Sequence, residues 1–496
     1  MVDYTLIGEC NAKSEKCSRW TVLAILLLTI TLGLCFIVGM TYVFYLKYEK
    51  NNSYHSTNEP VENRSLTSFM LFSDIHLDPW YTPVAGKDSF CRNANKPSTY
   101  NAPLGRIGCD SPISLLEETL RVMTEHAQEL THIDFIMMSG DSCAHRININ
   151  RRAEILAILN ITTSAVQSAF PNIPYFPSIG NNDLPGHYVM PGENDTWYSD
   201  VLNIWQDAIL CTYCNVKKNT TDVDQLRQTF LYGGYYRVSI ADGKILLLVL
   251  NSMYWTKSTW KHDKYFQERA NEQLKWIEMQ LNHARRTGLK IIITSHIPPG
   301  IDSYSGKSLW LSNYTEIYMN LVANDFSDIV IGQIYAHFHK DDFRFLQKNT
   351  DSLSFRNSSY ILLIPAVTPV YKNNPSFRIV HLDSNALAIT DYEQWYMNLV
   401  MATEFDNPVW QLDYKFSSRY PAKGDDDNVI NGKRIKHLSD NIINQFNDSY
   451  FNGFIASRQV HYQPDPFSRF EYYCAITFYS QEEFDVCRKK YLVPGG

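Results

Sequence analysis

A surplus of positive charge is the first thing this sequence lacks. Its 45 lysines and arginines are outnumbered by 52 aspartates and glutamates, a formal net charge of −7 at pH 7. Binding a nucleic acid means neutralising phosphates with a basic face, so no nucleic-acid partner is expected. Charged residues of either sign make up only 20% of the chain against 45% hydrophobic ones, which excludes a disordered, collagen-like or coiled-coil protein. There is no internal repeat. No Gly-rich phosphate loop and no Ser/His/Asp set is visible, so nothing suggests a covalent enzyme intermediate. The second Cys-x-x-Cys that would turn Cys211 and Cys214 into a zinc ribbon is also missing.

Charge is absent altogether from Trp20 to Leu46. That run is longer than the about 20 residues with which a helix crosses a bilayer, and longer than the apolar part of a cleaved signal peptide. Lys13, Lys16 and Arg19 precede it, while Lys47 and Lys50 follow, a small positive-inside bias. The pattern Asn-x-Ser/Thr recurs at Asn51, Asn63, Asn160, Asn194, Asn219, Asn313, Asn357 and Asn447, all after the apolar run. The expectation is a single-pass type II membrane protein: a cytoplasmic tail over 1–19, a spanning helix over 20–46, a polar stalk over 47–67, and the rest extracellular or in the lumen of a secretory or lytic compartment. Of the 10 cysteines, Cys91 with Cys109 and Cys474 with Cys487 are natural local pairs for an oxidising compartment. The pairing of Cys143, Cys211 and Cys214 stays open, and so does the oligomeric state.

At 496 residues the chain has room for up to three domains of about 150 residues, yet no linker-like break interrupts it after the stalk. Short apolar runs at 69–73, 134–139, 174–179, 244–250, 290–294, 328–331 and 360–364 read as buried strands. Amphipathic stretches at 113–130, 151–167, 196–209, 267–286 and 314–324 read as surface helices. This predicts one α/β domain over 68–391, followed by a helical or irregular extension over 392–496.

Carboxylates and imidazoles recur just past the strand ends, where open α/β sheets place their ligands. Asp74-x-His76, Gly140-Asp141, Gly180-Asn181-Asn182, Ser295-His296 and His337-x-His339 together make a set of oxygen and nitrogen donors suited to two divalent first-row metals. In that order and spacing they resemble the motif series of calcineurin-like metallophosphoesterases. The resemblance implies a four-layer αββα sandwich in which Asp74, His76 and His339 bind one metal and Asn181, His296 and His337 the other, with Asp141 bridging them. It also implies a dimetal hydrolase, with zinc as the expected metal, that activates water for in-line attack on phosphorus. Asp341, just after His339, is a candidate acceptor to orient that imidazole.

The segments Asp74 to Tyr81, Gly108 to Pro112, Gly140 to His145, His337 to Asp341 and Asn374 to Arg378, with the terminal cysteine pair, resemble acid sphingomyelinase-like phosphodiesterases. That extends the likeness over most of the chain beyond the stalk and implies a phosphodiester substrate, sphingomyelin-like or nucleotide-type. Gly180-Asn181-Asn182-Asp183 also looks like fungal endopolyphosphatases, which implies the alternative of inorganic polyphosphate. Position 182 departs from the first group, where a histidine usually protonates the leaving oxygen; Asn182 cannot do so. His145, four residues past Asp141, is the candidate substitute. A third reading is a catalytically lapsed glycoprotein that binds phosphorylated ligands.

Overall fold

A computed structural model describes residues 66–130, 133–147, 151–214, 221–259, 263–346, 359–422, 428–444, 448–456 and 468–492. All of them belong to one compact unit, Ser65–Gly496. The expected tail and spanning helix lie outside the described residues, as do the stalk up to residue 65 and Asn51, Asn63, Asn219, Asn357 and Asn447. Among the described residues no helix is long and apolar enough to cross a membrane. Asn160, Asn194 and Asn313 are exposed.

The apolar runs become the cores of two six-stranded sheets. The first has the order β12-β11-β10-β1-β2-β3 and the second β4-β5-β6-β7-β9-β8. Parallel strands form one end of the first sheet, β1 (Leu66–Phe72), β2 (Ile133–Met138) and β3 (Tyr175–Pro177), and the middle of the second, β5 (Ile245–Val249), β6 (Lys290–Thr294), β7 (Val330–Tyr335) and β9 (Ser359–Leu363). Their near-continuous apolar sequence fits strands covered on both faces, as parallel strands are. Antiparallel strands make the other half of the first sheet, β10 (Ser376–Asp383), β11 (Ala388–Met397) and β12 (Trp410–Lys415), and both edges of the second, β4 (Tyr236–Ile240) and β8 (Asp342–Leu346). The sheets face each other closely at Gly332 of β7, where an added Cβ would come within 2.7 Å of Ile389 Cδ1 of β11.

Helices cover the outer faces. In α1 (Ile113–Glu129) the buried side chains are Leu115, Leu116, Thr119, Leu120, Val122 and Met123, a stripe at helical spacing. Next come α2 (Arg151–Ala169), α3 (Trp197–Leu210) and α4 (Val223–Gly233). The long α5 (Lys264–Thr287) starts where the Asp263 side chain accepts the Tyr265 N–H and stops at Gly288, whose φ of 72° a residue with a Cβ adopts only at a cost. The helix expected over 314–324 is α6 (Ser312–Met319), which continues as a π-helical stretch over Asn320–Asp325.

Among the described residues three disulfides form, Cys91–Cys109, Cys211–Cys214 and Cys474–Cys487, and Cys143 is free and buried. The expected boundary at 391/392 falls inside β11, and β12 extends the same sheet. The first part of the extension is therefore sheet rather than appendage. Beyond it the extension is helical, and α7 (Gly432–Ile443) and α8 (Arg469–Thr477) pack against β8.

Candidate functional site

Three of the strands that feed the site, β1, β2 and β7, lead into turns that re-aim the chain. Asp74 (φ 48°), His76 (45°), Asp141 (57°), His337 (74°) and His339 (59°) all adopt the left-handed backbone that L-residues avoid. Such strain persists only where surroundings over-determine it. Here the Asp74 N–H donates to Gly140 O at 3.1 Å, the His76 N–H to Asp141 O at 3.1 Å, and the His337 N–H to Asp74 Oδ2 at 3.3 Å. Gly140 and Gly180 permit the approach: a Cβ on Gly140 would lie 2.7 Å from His296 Nδ1, and one on Gly180 only 2.1 Å from Asp141 Oδ1.

The seven expected ligands converge. His76 Nδ1 donates to Cys143 O (3.0 Å) and His296 Nδ1 to Ser139 O (2.8 Å), which fixes both tautomers with the Nε2 lone pair inward. Each Nε2 faces further ligand atoms: His76 Nε2 lies 3.2 Å from His339 Nε2, and His296 Nε2 3.3 Å from His337 Nδ1 and 3.1 Å from Asn181 Oδ1. Asp141 Oδ2 stands between the clusters, 3.5 Å from His76 Nε2 and 3.3 Å from His296 Nε2. Asp74 Oδ1 is buried without any hydrogen-bond partner. Two groups of ligand atoms result, Asp74/His76/His339 and Asp141/His296/His337, each within 4.8 Å of one another. Converging lone pairs and an orphaned carboxylate oxygen need positive charge among them, so the donor set fits divalent metal ions.

The electrostatics agree. Burial raises the Asp74 carboxyl, but His339 and His296 more than reverse this and hold it well below its usual range. Burial likewise opposes ionisation of Asp141, and His296 overrides it. Burial lowers His76 and His296, yet Asp74 and Asp141 carry both up to about 9, so without metal each holds a second proton at Nε2, which a bound ion would displace to gain the lone pair. Burial pushes His337 down to about 3 and His339 to about 4, so these two imidazoles remain neutral donors.

Asn182 clamps the central carboxylate: its backbone N–H donates to Asp141 Oδ1 and its Nδ2 to Asp141 Oδ2, both at 2.8 Å. His145 stacks on His76, with ring centroids 4.1 Å apart, and is held by Asp110, which accepts from its Nδ1 and from its backbone N–H, both at 2.8 Å. Burial raises Asp110, but the His145 hydrogen bond reverses this and keeps it below its usual range. His145 Nε2 lies 3.5 Å from the hydroxyl of the exposed Tyr371.

Asp341 does not serve His339. Its carboxylate accepts from Arg378 Nη2 at 2.9 Å and from the Tyr414 hydroxyl, while His339 Nδ1 is buried without a partner. Past the turn at His339 the Asp341 side chain reaches the first sheet, while the backbone continues into β8 of the second. Sequence reasoning also assigned no role to Asp183, whose carboxylate accepts three backbone N–H bonds, from Asp141 (2.8 Å), Gly180 (3.0 Å) and Cys143 (3.1 Å). An acid set directly after two amides, between the buried Ile179 and Leu184, was the available signal. Asp110 lies in the Gly108–Pro112 segment that carries the resemblance, but its partner His145 is evident only in the folded chain; Tyr371 carried no signal.

Residues 354–493 match the family model for the acid sphingomyelin phosphodiesterase C-terminal region. The chain is 26% identical over 376 residues to an acid sphingomyelinase-like phosphodiesterase 3b of Mus musculus, covering 73% of this chain and 77% of that protein. It is 27% identical over 367 residues to a cyclic GMP-AMP phosphodiesterase of Homo sapiens, covering 72% and 76%. Among solved structures, a putative 5′-nucleotidase from Staphylococcus aureus overlays 66% of this chain on 52% of its own, with 11% identity and a TM-score of 0.35.

Proposed function

Starting from its kinship with the acid sphingomyelinase-like phosphodiesterases, we propose that this chain is a metal-dependent phosphoric diester hydrolase. The observation that carries the reading is the convergence of Asp74, His76, Asp141, Asn181, His296, His337 and His339 around an orphaned Asp74 oxygen and two confronted pairs of ring nitrogens. Two divalent ions, zinc by the imidazole content of the set, would there neutralise phosphoryl oxygens and acidify an attacking water.

The chain's own groups supply the rest. Asn182 and the Asp183 carboxylate fix the orientation of Asp141 and of the turn that carries it. His145, with Nδ1 committed to Asp110, has its Nε2 available to protonate a departing oxygen, the role Asn182 cannot fill. Tyr371, edge-on to the His339 ring at 4.7 Å, and Tyr188, edge-on to His337 at 6.5 Å, flank the ligand imidazoles. A lipid or nucleotide phosphodiester fits this arrangement. A second reading, cleavage of inorganic polyphosphate, is favoured by the commitment of Asn182 to Asp141, because a phosphoanhydride leaving group needs less help from an acid.

In this reading the catalytic unit is carried on the apolar run at 20–46 as a type II membrane protein, glycosylated at such exposed sites as Asn160, Asn194 and Asn313. Protease protection of the unit in intact vesicles, and a mobility shift on glycosidase treatment, test that topology. For the activity, residues from Ser65 onward are expressed in a secretory host, and metal-dependent release is measured from sphingomyelin, a nitrophenyl phosphodiester, a dinucleotide and long polyphosphate. Turnover of a diester supports the first reading, turnover of polyphosphate alone the second. No turnover by a protein with both ions bound leaves only the lapsed ligand binder.

A further inference from the structure

The loop between β7 and β8 brings two ligands, His337 and His339, to the site on left-handed backbone, and what steadies it lies in the other sheet. Asp341, at its far end, is met by side chains from β10 and β12, which side chains of the intervening β11 hold in turn. Arg378 of β10 donates from Nη2 to its Oδ1 at 2.9 Å. Gln394 of β11 accepts from Arg378 Nε at 2.9 Å and donates to Phe377 O at 3.0 Å. Tyr414 of β12 donates its hydroxyl to Asp341 Oδ2 and lies 2.9 Å from the Tyr392 hydroxyl, while the Tyr392 ring lies under the Arg378 guanidinium at 4.0 Å. Asp341, Arg378, Tyr392, Gln394 and Tyr414 are all buried.

Buried charges are tolerated only when paired and hydrogen-bonded, and a fully satisfied network is rigid. These partners lie within 354–493, the stretch matching the C-terminal family model. Nothing else in the mechanism uses them. We propose that Asp341, Arg378 and Tyr414 are positioning residues through which the C-terminal strands set the affinity of one metal site, the one containing His339. The proposal rests on the reading of His339 as a metal ligand.

The test is metal binding rather than turnover. The secreted catalytic unit that serves the activity assay is stripped of metal and titrated with Zn²⁺ against a chromophoric chelator and with Co²⁺ by absorption. Parent, Tyr414→Phe and Asp341→Asn are compared, with Ser439→Ala as a control that removes a buried hydrogen bond to Thr477 away from the loop. Tyr414→Phe deletes one hydroxyl and keeps the ring packing. The expected result is two ions in the parent, and one of the two sites weakened about 10- to 100-fold in both loop variants, as is typical when the partners of metal ligands are removed. Excess metal should restore turnover, and the control should bind both ions as the parent does. Parental affinities at both sites in Tyr414→Phe overturn the proposal, as does equal weakening of both sites matched by the control. If Asp341→Asn does not fold, Tyr414→Phe alone decides. A parent that takes up no ion overturns the reading of the site itself, and the proposal with it.

Discussion

Gly180→Ala should disable this protein by moving one carboxylate. An alanine Cβ at 180 would lie 2.1 Å from Asp141 Oδ1 and 2.3 Å from Asp141 N, where ordinary contact begins at 3.4 Å. Asp141 must therefore retreat by more than an ångström. It cannot do so alone, since its backbone is tied to Asp183 and its carboxylate to Asn182. Misplacement of a reacting constellation by about 1 Å costs on the order of 10²-fold in rate, and overpacking a rigid interior costs about 1–3 kcal/mol. Gly192→Ala is the matched control, because nothing lies within 4 Å of its would-be Cβ. The assay is metal-dependent hydrolysis of a nitrophenyl phosphodiester, with ion stoichiometry and melting temperature measured on the same samples. The expected outcome is a loss of at least about 100-fold with a weakened central site for Gly180→Ala, and no change for Gly192→Ala. Retention of a tenth of parental activity with two ions bound would refute the assignment of Asp141 as the shared ligand.

His145→Ala and Asp110→Asn should slow turnover of substrates with poor leaving groups by about 10²- to 10⁴-fold while sparing nitrophenyl esters; equal losses on both would remove His145 from the proton-transfer role. Opening the Cys91–Cys109 loop with a double serine variant should cost about 2–4 kcal/mol by chemical denaturation, and an unchanged midpoint would count against it. Hydrogen bonding to His381 and pairing with Lys415 hold the Glu393 carboxyl at about 2, below its ordinary 4.5. A depressed carboxyl stabilises the fold above its unfolded pKa, and that contribution fades as pH falls from about 4.5 to about 2. Glu393→Gln should therefore lower the denaturation midpoint at pH 6 and converge with the parent at the acid end of that window; a difference constant with pH would contradict the pairing. Chelation of bound ions should lower the melting temperature in proportion to the lost binding free energy, whereas an indifferent melt would mean that the donor clusters hold no metal.

The ligand set was legible because each donor follows an apolar β run, so Asp74, Asp141, Asn181 and His296 could be placed at strand ends before any coordinates. The pattern of seven buried strands was legible for the same reason. Asp341 was misread because adjacency to His339 says nothing about direction. The backbone at 339, with φ of 59°, turns the chain so that the neighbouring carboxylate serves Arg378 instead. The strands β10 to β12 were missed because their pattern is mixed: Arg378 and Gln394 are buried, and β11 alternates buried with half-exposed positions. The Asp110–His145 contact joins residues 35 apart in sequence, and no local signal announces it.

The course of β11 across residue 391 bears on how such a chain can be inherited. A break or recombination point at that position would split a strand that pairs on both sides, with β10 and with β12. The remnant would present the open edge of β10, an invitation to pair with another chain, and would strip Asp341 of its Tyr414 partner. The catalytic stretch and the C-terminal stretch therefore have to travel together, and a gene fragment ending at this boundary would encode an aggregation-prone piece rather than a smaller enzyme.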